Sequence, residues 1–252
     1  MGRTDLLKRA RENQHPIEAS ACKKAAKSGR LDILKLLRED YKCPWDCNVY
    51  EGALESGDME MFEYALKNNC PWDTCVTSYM AQHGLLEFLC TSIRYGKSLG
   101  KNACIRAAEK GHFATMVFCH EHGSPLSKDI CAKAAWVGSL EIVVYAHEHG
   151  GSWDWHTSSN AAEKGHISIV RYAHTHGCPW NKWTVAQASK NGHLQIVKYT
   201  LDNGCSYDEY AIVGARHYGH EDVVEYLNSR ECPDISNSSD SGKIEYMIGM
   251  LD

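Results

Sequence analysis

The chain has 252 residues, with 27 lysines and arginines against 32 aspartates and glutamates, for a formal charge of −5. This acidic balance, with a pI near 6.3, gives no footprint for nucleic acid or an anionic membrane, and no apolar run reaches the roughly 20 residues of a membrane span. The opening Met1-Gly2-Arg3-Thr4-Asp5-Leu6 has no signal-peptide core, and Leu6 stands where a myristoylation motif needs Ser or Thr, so the chain reads as intracellular and cytoplasmic.

Along the chain, Gly29, Gly57, Gly84, Gly111, Gly138, Gly165, Gly192 and Gly219 fall at one interval, 27 residues after a first step of 28. A second landmark keeps the same step: Cys43-Pro44-Trp45, Cys70-Pro71-Trp72, Ser124-Pro125, Ser152-Trp153, Cys178-Pro179-Trp180, Cys205-Ser206-Tyr207 and Cys232-Pro233. A fixed period of this length marks a repeat array in which units stack on their neighbours.

Residues 1–15 come first. Gly2-Arg3-Thr4-Asp5-Leu6-Leu7-Lys8 mimics Gly29-Arg30-Leu31-Asp32-Ile33-Leu34-Lys35, which predicts a charged half-repeat, the capping helix of a solenoid. Residues 16–233 then form a single array. In each unit, Asp46, Asp73, Gly100, Ser127, Asp154, Asn181 or Asp208 supplies the N-cap of a first helix, preceded by a large apolar residue such as Trp153 or Trp180 as a hydrophobic staple. Small pairs, Ala134-Ala135 and Ala161-Ala162 among them, let neighbouring first helices approach. After the landmark glycine a second helix begins, with apolar residues at helical spacing such as Leu140, Ile142, Val143, Tyr145 and Ala146. Acids in its first turn (Asp32, Glu60, Glu87, Glu141, Asp222) favour the helix dipole, and Gly123, Gly150, Gly177 and Gly204 end it. No segment alternates as a strand does. Residues 234–252 read as a decayed terminal repeat or flexible tail.

Twelve cysteines do not imply a disulfide framework. Cys43, Cys70, Cys178, Cys205 and Cys232 share one column, and stacked helices put column neighbours about 8–10 Å apart. A disulfide needs Cα atoms within about 4.4–6.8 Å. Reduced, half-buried thiols in a cytosolic compartment follow.

The strings Ala161-Ala162-Glu163-Lys164-Gly165-His166-Ile167-Ser168-Ile169-Val170 and Asn191-Gly192-His193-Leu194-Gln195-Ile196-Val197 resemble the heart of the ankyrin repeat, and His122-Gly123, His149-Gly150 and His176-Gly177 resemble its close. The unit is 27 residues rather than the family's usual 33, and a short Cys-Pro-Trp-Asp turn replaces the Thr-Pro-Leu-His opening and the long β-hairpin finger. In this it is similar to the divergent ankyrin-type repeats of large DNA viruses of amoebae and some protists. The resemblance implies an all-α, ankyrin-like α-solenoid of about eight helix-turn-helix repeats. It also implies a non-enzymatic scaffold that binds a partner protein along its concave side, in the host cell if the source is viral.

Several constellations invite chemistry. His120/His122, His147/His149 and His174/His176 form two columns, but a spacing of two residues turns the rings about 200° apart, so helix-end stabilisation outweighs metal binding. Cys43/Cys47 and Cys70/Cys75 make only loose pairs. No phosphate loop, nucleophile elbow or His-Glu-x-x-His occurs, so no catalytic residue, metal or cofactor is assigned. The columns that break the period are more informative. Positions polar elsewhere (Cys47-Asn48, Thr74-Cys75, Lys101-Asn102, Lys128-Asp129) become Trp155-His156, Lys182-Trp183 and Glu209-Tyr210, while Trp136 and His217-Tyr218 stand where other repeats carry polar pairs. Aromatic groups at polar positions are binding anchors or packing against the next repeat. Trp136, Trp155, His156, Trp183, Tyr210, His217 and Tyr218 are thus the expected partner-binding residues of a monomer. A self-assembling solenoid, and less favourably a metal or small-molecule binder, are the alternatives.

Overall fold

The computed structural model describes residues 18–231, 245–246 and 248–250. The capping half-repeat expected over residues 1–15 and most of the tail from 234 lie outside the described residues. Helix dominates, and among the described residues there is no strand. The first helices of the repeats are α1 (Ala19–Lys27), α3 (Asn48–Ser56), α5 (Thr74–Gln82), α7 (Ala103–Ala108), α9 (Ile130–Val137), α11 (Trp155–Glu163), α13 (Lys182–Lys190) and α15 (Glu209–His217). Their second helices are α2 (Leu31–Glu39), α4 (Met59–Lys67), α6 (Leu86–Arg94), α8 (Phe113–Glu121), α10 (Leu140–Glu148), α12 (Ile167–Thr175), α14 (Leu194–Asp202) and α16 (Glu221–Ser229). Two compact units result, one running through Arg106 with Val117–Ser124, the other Ala107–Met116 with Pro125 onward.

Helix starts follow the capping residues. The side chains of Asp73, Asp154, Asn181 and Asp208 accept from the backbone N–H two residues on, at 2.8, 2.9, 3.0 and 3.2 Å, and Asp46 does the same for Asn48 at 3.0 Å. Each such cap is worth about 1 kcal/mol. Gly100 and Ser127 depart from the expectation. Gly100 has no side-chain acceptor, and the Ser127 hydroxyl is buried without a hydrogen-bond partner. Their helices start late, at Ala103 and Ile130, and are the two shortest at six and eight residues.

In the second unit the first helices α9, α11, α13 and α15 pack extensively on one another, while the second helices meet at few points. Small side chains permit the close approach: Ala134, Ala135, Ala161, Ala162, Ala188, Ser189 and Ala215 are all fully buried. Between the second helices the space is filled by Ile142-Val143, Ile169-Val170, Ile196-Val197 and Val223-Val224, each side chain worth roughly 1.5–3 kcal/mol on burial.

The landmark glycines answer to two constraints at once. Gly138 and Gly192 have φ of +80° and +72°, a left-handed conformation that an L side chain adopts at a cost. In addition, a Cβ on Gly138 would lie 2.5 Å from the His166 ring, on Gly165 2.8 Å from His193, and on Gly192 2.5 Å from His220. His166, His193 and His220 therefore occupy the space that the preceding repeat's glycine leaves open. His193 Nε2 also reaches the Glu163 carbonyl at 3.1 Å, satisfying an acceptor at the end of α11 that has no partner within its helix.

The cysteine column is a second ladder between repeats. Cys43, Cys70, Cys178 and Cys205 donate from Sγ to the carbonyls of Glu18, Asp46, Asp154 and Asn181 at 3.2–3.3 Å, and Ser124 donates to Gly100 at 3.1 Å. These thiols are fully buried rather than half-buried, because each donates to the cap region of the preceding first helix. None of the described cysteines forms a disulfide.

Candidate partner-binding surface

The seven residues that break the period all lie in the second unit, on its first helices, but at two ends of them. Trp155, His156, Trp183 and Tyr210 sit in the opening turns of α11, α13 and α15, whereas Trp136, His217 and Tyr218 sit where α9 and α15 close. A nine-residue helix is about 13 Å long, so the structure divides one expected cluster into two.

At the opening end, Trp183 leans against Tyr210 with centroids 5.2 Å apart, and Lys182 Nζ lies 5.8 Å from the first ring and 5.3 Å from the second. Asp208 pairs with Lys182 at 2.8 Å, and this hydrogen bond raises the lysine pKa. Trp155 stacks on the exposed His156 at 3.7 Å, and His156 Nδ1 reaches Asp154 at 3.0 Å. Trp155, Trp183 and Tyr210 are half-buried, so their rings cover neighbouring chain and still present an edge to solvent. At the closing end, Trp136 is 44% exposed and Tyr218 38%. Lys164 Nζ stands 3.7 Å from the Trp136 centroid and Lys190 Nζ 5.2 Å from that of Tyr218. The exposed His217 meets Tyr218 edge-on at 4.8 Å.

The histidine columns have structural work of their own. His122, His149 and His176 place Nδ1 2.8 Å from the carbonyls of Phe118, Tyr145 and Tyr172 and stack on those rings. A carbonyl only accepts, so these nitrogens carry the proton and close the second helices. His147 and His174 instead lie flat on Trp153 and Trp180 at 3.9 and 4.0 Å. Each shares a hydrogen bond between Nδ1 and the hydroxyl of the next repeat's tyrosine, Tyr172 at 3.1 Å and Tyr199 at 2.9 Å. The staple tryptophans thus stack back on the preceding second helix.

Periodicity alone did not reveal a cleft of about 210 Å³ between α3 and α5 in the first unit, lined by Cys47, Glu51, Leu54, Cys75, Val76 and Tyr79. Its origin is a single column. Gly52 lets α3 press against α1, since a Cβ there would be 2.7 Å from the Lys27 nitrogen and 2.8 Å from the Ala26 Cβ. One repeat later the same column holds Tyr79, and α3 and α5 touch at far fewer points than α1 and α3. The change from Gly52 to Tyr79 is the sequence signal that could have found it.

No family model and no curated protein matches the chain. Among solved structures, the chain is similar to the human ASB11 ankyrin repeat domain seen in a crystal structure, with a TM-score of 0.53 and 18% identity over 61% of this chain and 82% of that one. With its paired helices, close-packed first helices and glycine-histidine turns, the chain has an ankyrin-like α-solenoid fold.

Proposed function

We propose that the chain is a non-enzymatic scaffold that holds a partner protein against the first-helix side of its second unit. The observation that carries this reading is the set of lysine-capped rings at variable positions: Trp136 under Lys164, Trp183 and Tyr210 beside Lys182, and Tyr218 under Lys190. A ring covered by an ammonium on one side and open on another offers a flat, rigid apolar contact at low entropic cost. Lys182 and Lys164 are neutralised by Asp208 and Glu163, so shape and apolar contact would select the partner more than net charge. Close packing of the first helices against looser second helices supports reading that side as the concave one. Buried free thiols fit a reducing, cytoplasmic setting, and a monomeric chain keeps the face open.

Affinity capture from the native cell, with the intact chain and with Trp136→Ala and Trp183→Ala, tests the reading. A partner held by these anchors is lost from both variants, each costing about 2 kcal/mol of binding or roughly 30-fold, while helicity by circular dichroism is unchanged. Capture of the same partner at unchanged yield by both variants sinks it.

A further inference from the structure

Cys47 and Cys75 both line the α3–α5 cleft, at the entry of their helices. They lie 28 residues apart, one step off the repeat, so they are diagonal neighbours and not column neighbours. The same diagonal in the second unit brings Lys182 within 5.3 Å of the Tyr210 ring. The Asp73 carboxylate and the Cys47 thiol both act electrostatically on the Cys75 thiol. Cys75 is the only exposed cysteine among the described residues, and Cys47, like Cys90, is half-exposed, whereas Cys22 and Cys43, also neighbours, are both buried.

We propose that Cys47 and Cys75 are a dithiol modification site, converted by a low-molecular-weight disulfide such as oxidised glutathione into an intramolecular disulfide across the cleft. The exposed Cys75 thiolate attacks one sulfur of the small disulfide, forming a mixed disulfide and releasing one small thiolate. The Cys47 thiolate then attacks the Cys75 sulfur and expels the second. The two cysteine protons end on the two released thiols, so the protein pair is oxidised by two electrons and the small disulfide is reduced by two. Partial burial, the Asp73 hydrogen bond and the adjacent Cys47 push the Cys75 thiol up to about 11. Its thiolate is therefore scarce at neutral pH. The pair is slow to react and is governed by the thiol–disulfide equilibrium more than by rapid trapping of an oxidant. Once formed, the bond ties the entry of α3 to that of α5 and closes the cleft mouth.

The test is to equilibrate the full chain in glutathione buffers of increasing oxidised fraction, quench in acid, alkylate the remaining thiols, and map peptides by mass spectrometry. The expected product has lost two hydrogens and gives a linked peptide pair containing Cys47 and Cys75. Cys47→Ser is expected to carry a glutathione adduct on Cys75, and Cys75→Ser to form no link, with circular dichroism confirming that both variants fold. The proposal is overturned if the native chain accumulates only a glutathione adduct on Cys75, if the link maps to other cysteines, or if both thiols stay reduced at every ratio.

Discussion

Cys205 shows how a single position is defined by the repeat before it. Its thiol is buried and donates to the Asn181 carbonyl at 3.3 Å, and burial pushes its pKa from 9.0 to about 12. Burial likewise lifts Cys22, Cys70, Cys119 and Cys131 to about 12 and Cys178 to about 11. For an acid that is neutral when protonated, a raised pKa means that the folded chain keeps a proton the unfolded chain loses. The stability held by these thiols is thus complete below pH 9 and declines as pH rises toward 12, by up to about 1.4 kcal/mol per pH unit for each. Urea unfolding of the native chain and Cys205→Ala across pH 8–11 isolates one such group. The stability difference between them should be constant to pH 9 and then shift by about 1.4 kcal/mol per unit in favour of the variant. A difference unchanged to pH 11 would contradict the assignment.

The helix elements are set mainly at their ends. The residues that close the second helices recur at the 27-residue step, as Lys42, Asn69, Gly96, Gly123, Gly150, Gly177, Gly204 and Glu231, all with positive φ. The glycines were legible in the sequence. Lys42 and Glu231 were not, because neither residue type announces a left-handed turn. A non-glycine residue there costs about 1–2 kcal/mol. Since Lys42 is exposed, Lys42→Gly should gain about 1 kcal/mol, read as a higher midpoint in thermal or urea unfolding. A lowered midpoint would show that the Lys42 side chain contributes more than its backbone costs. The caps divide the same way: Asp73, Asp154, Asn181 and Asp208 behave as their residue types suggest, while the Ser127 hydroxyl is buried without a hydrogen-bond partner.

For the molecule as a whole, the period made the fold legible because every repeat faces much the same neighbours, so small side chains, caps and glycines recur in register. What remained hidden depends on contacts between columns. Gly138 and His166 are separate landmarks in the sequence, and only in space does the ring fill the glycine's vacancy. The division of the aromatic residues between helix openings and closings, and the cleft opened by Tyr79, likewise need the distance between helices. Recurring positions build the fold, whereas Trp136 and its fellows are proposed to serve the surface. Equilibrium urea unfolding of Gly165→Ala beside Trp136→Ala tests this most directly. The glycine variant suffers left-handed strain and overlap with His193, and should lose at least about 2 kcal/mol. The tryptophan variant keeps the helix backbone unstrained, loses the contact with Lys164, and should lose less than the glycine variant. Equal losses in the two, or a neutral Gly165→Ala, would contradict the account.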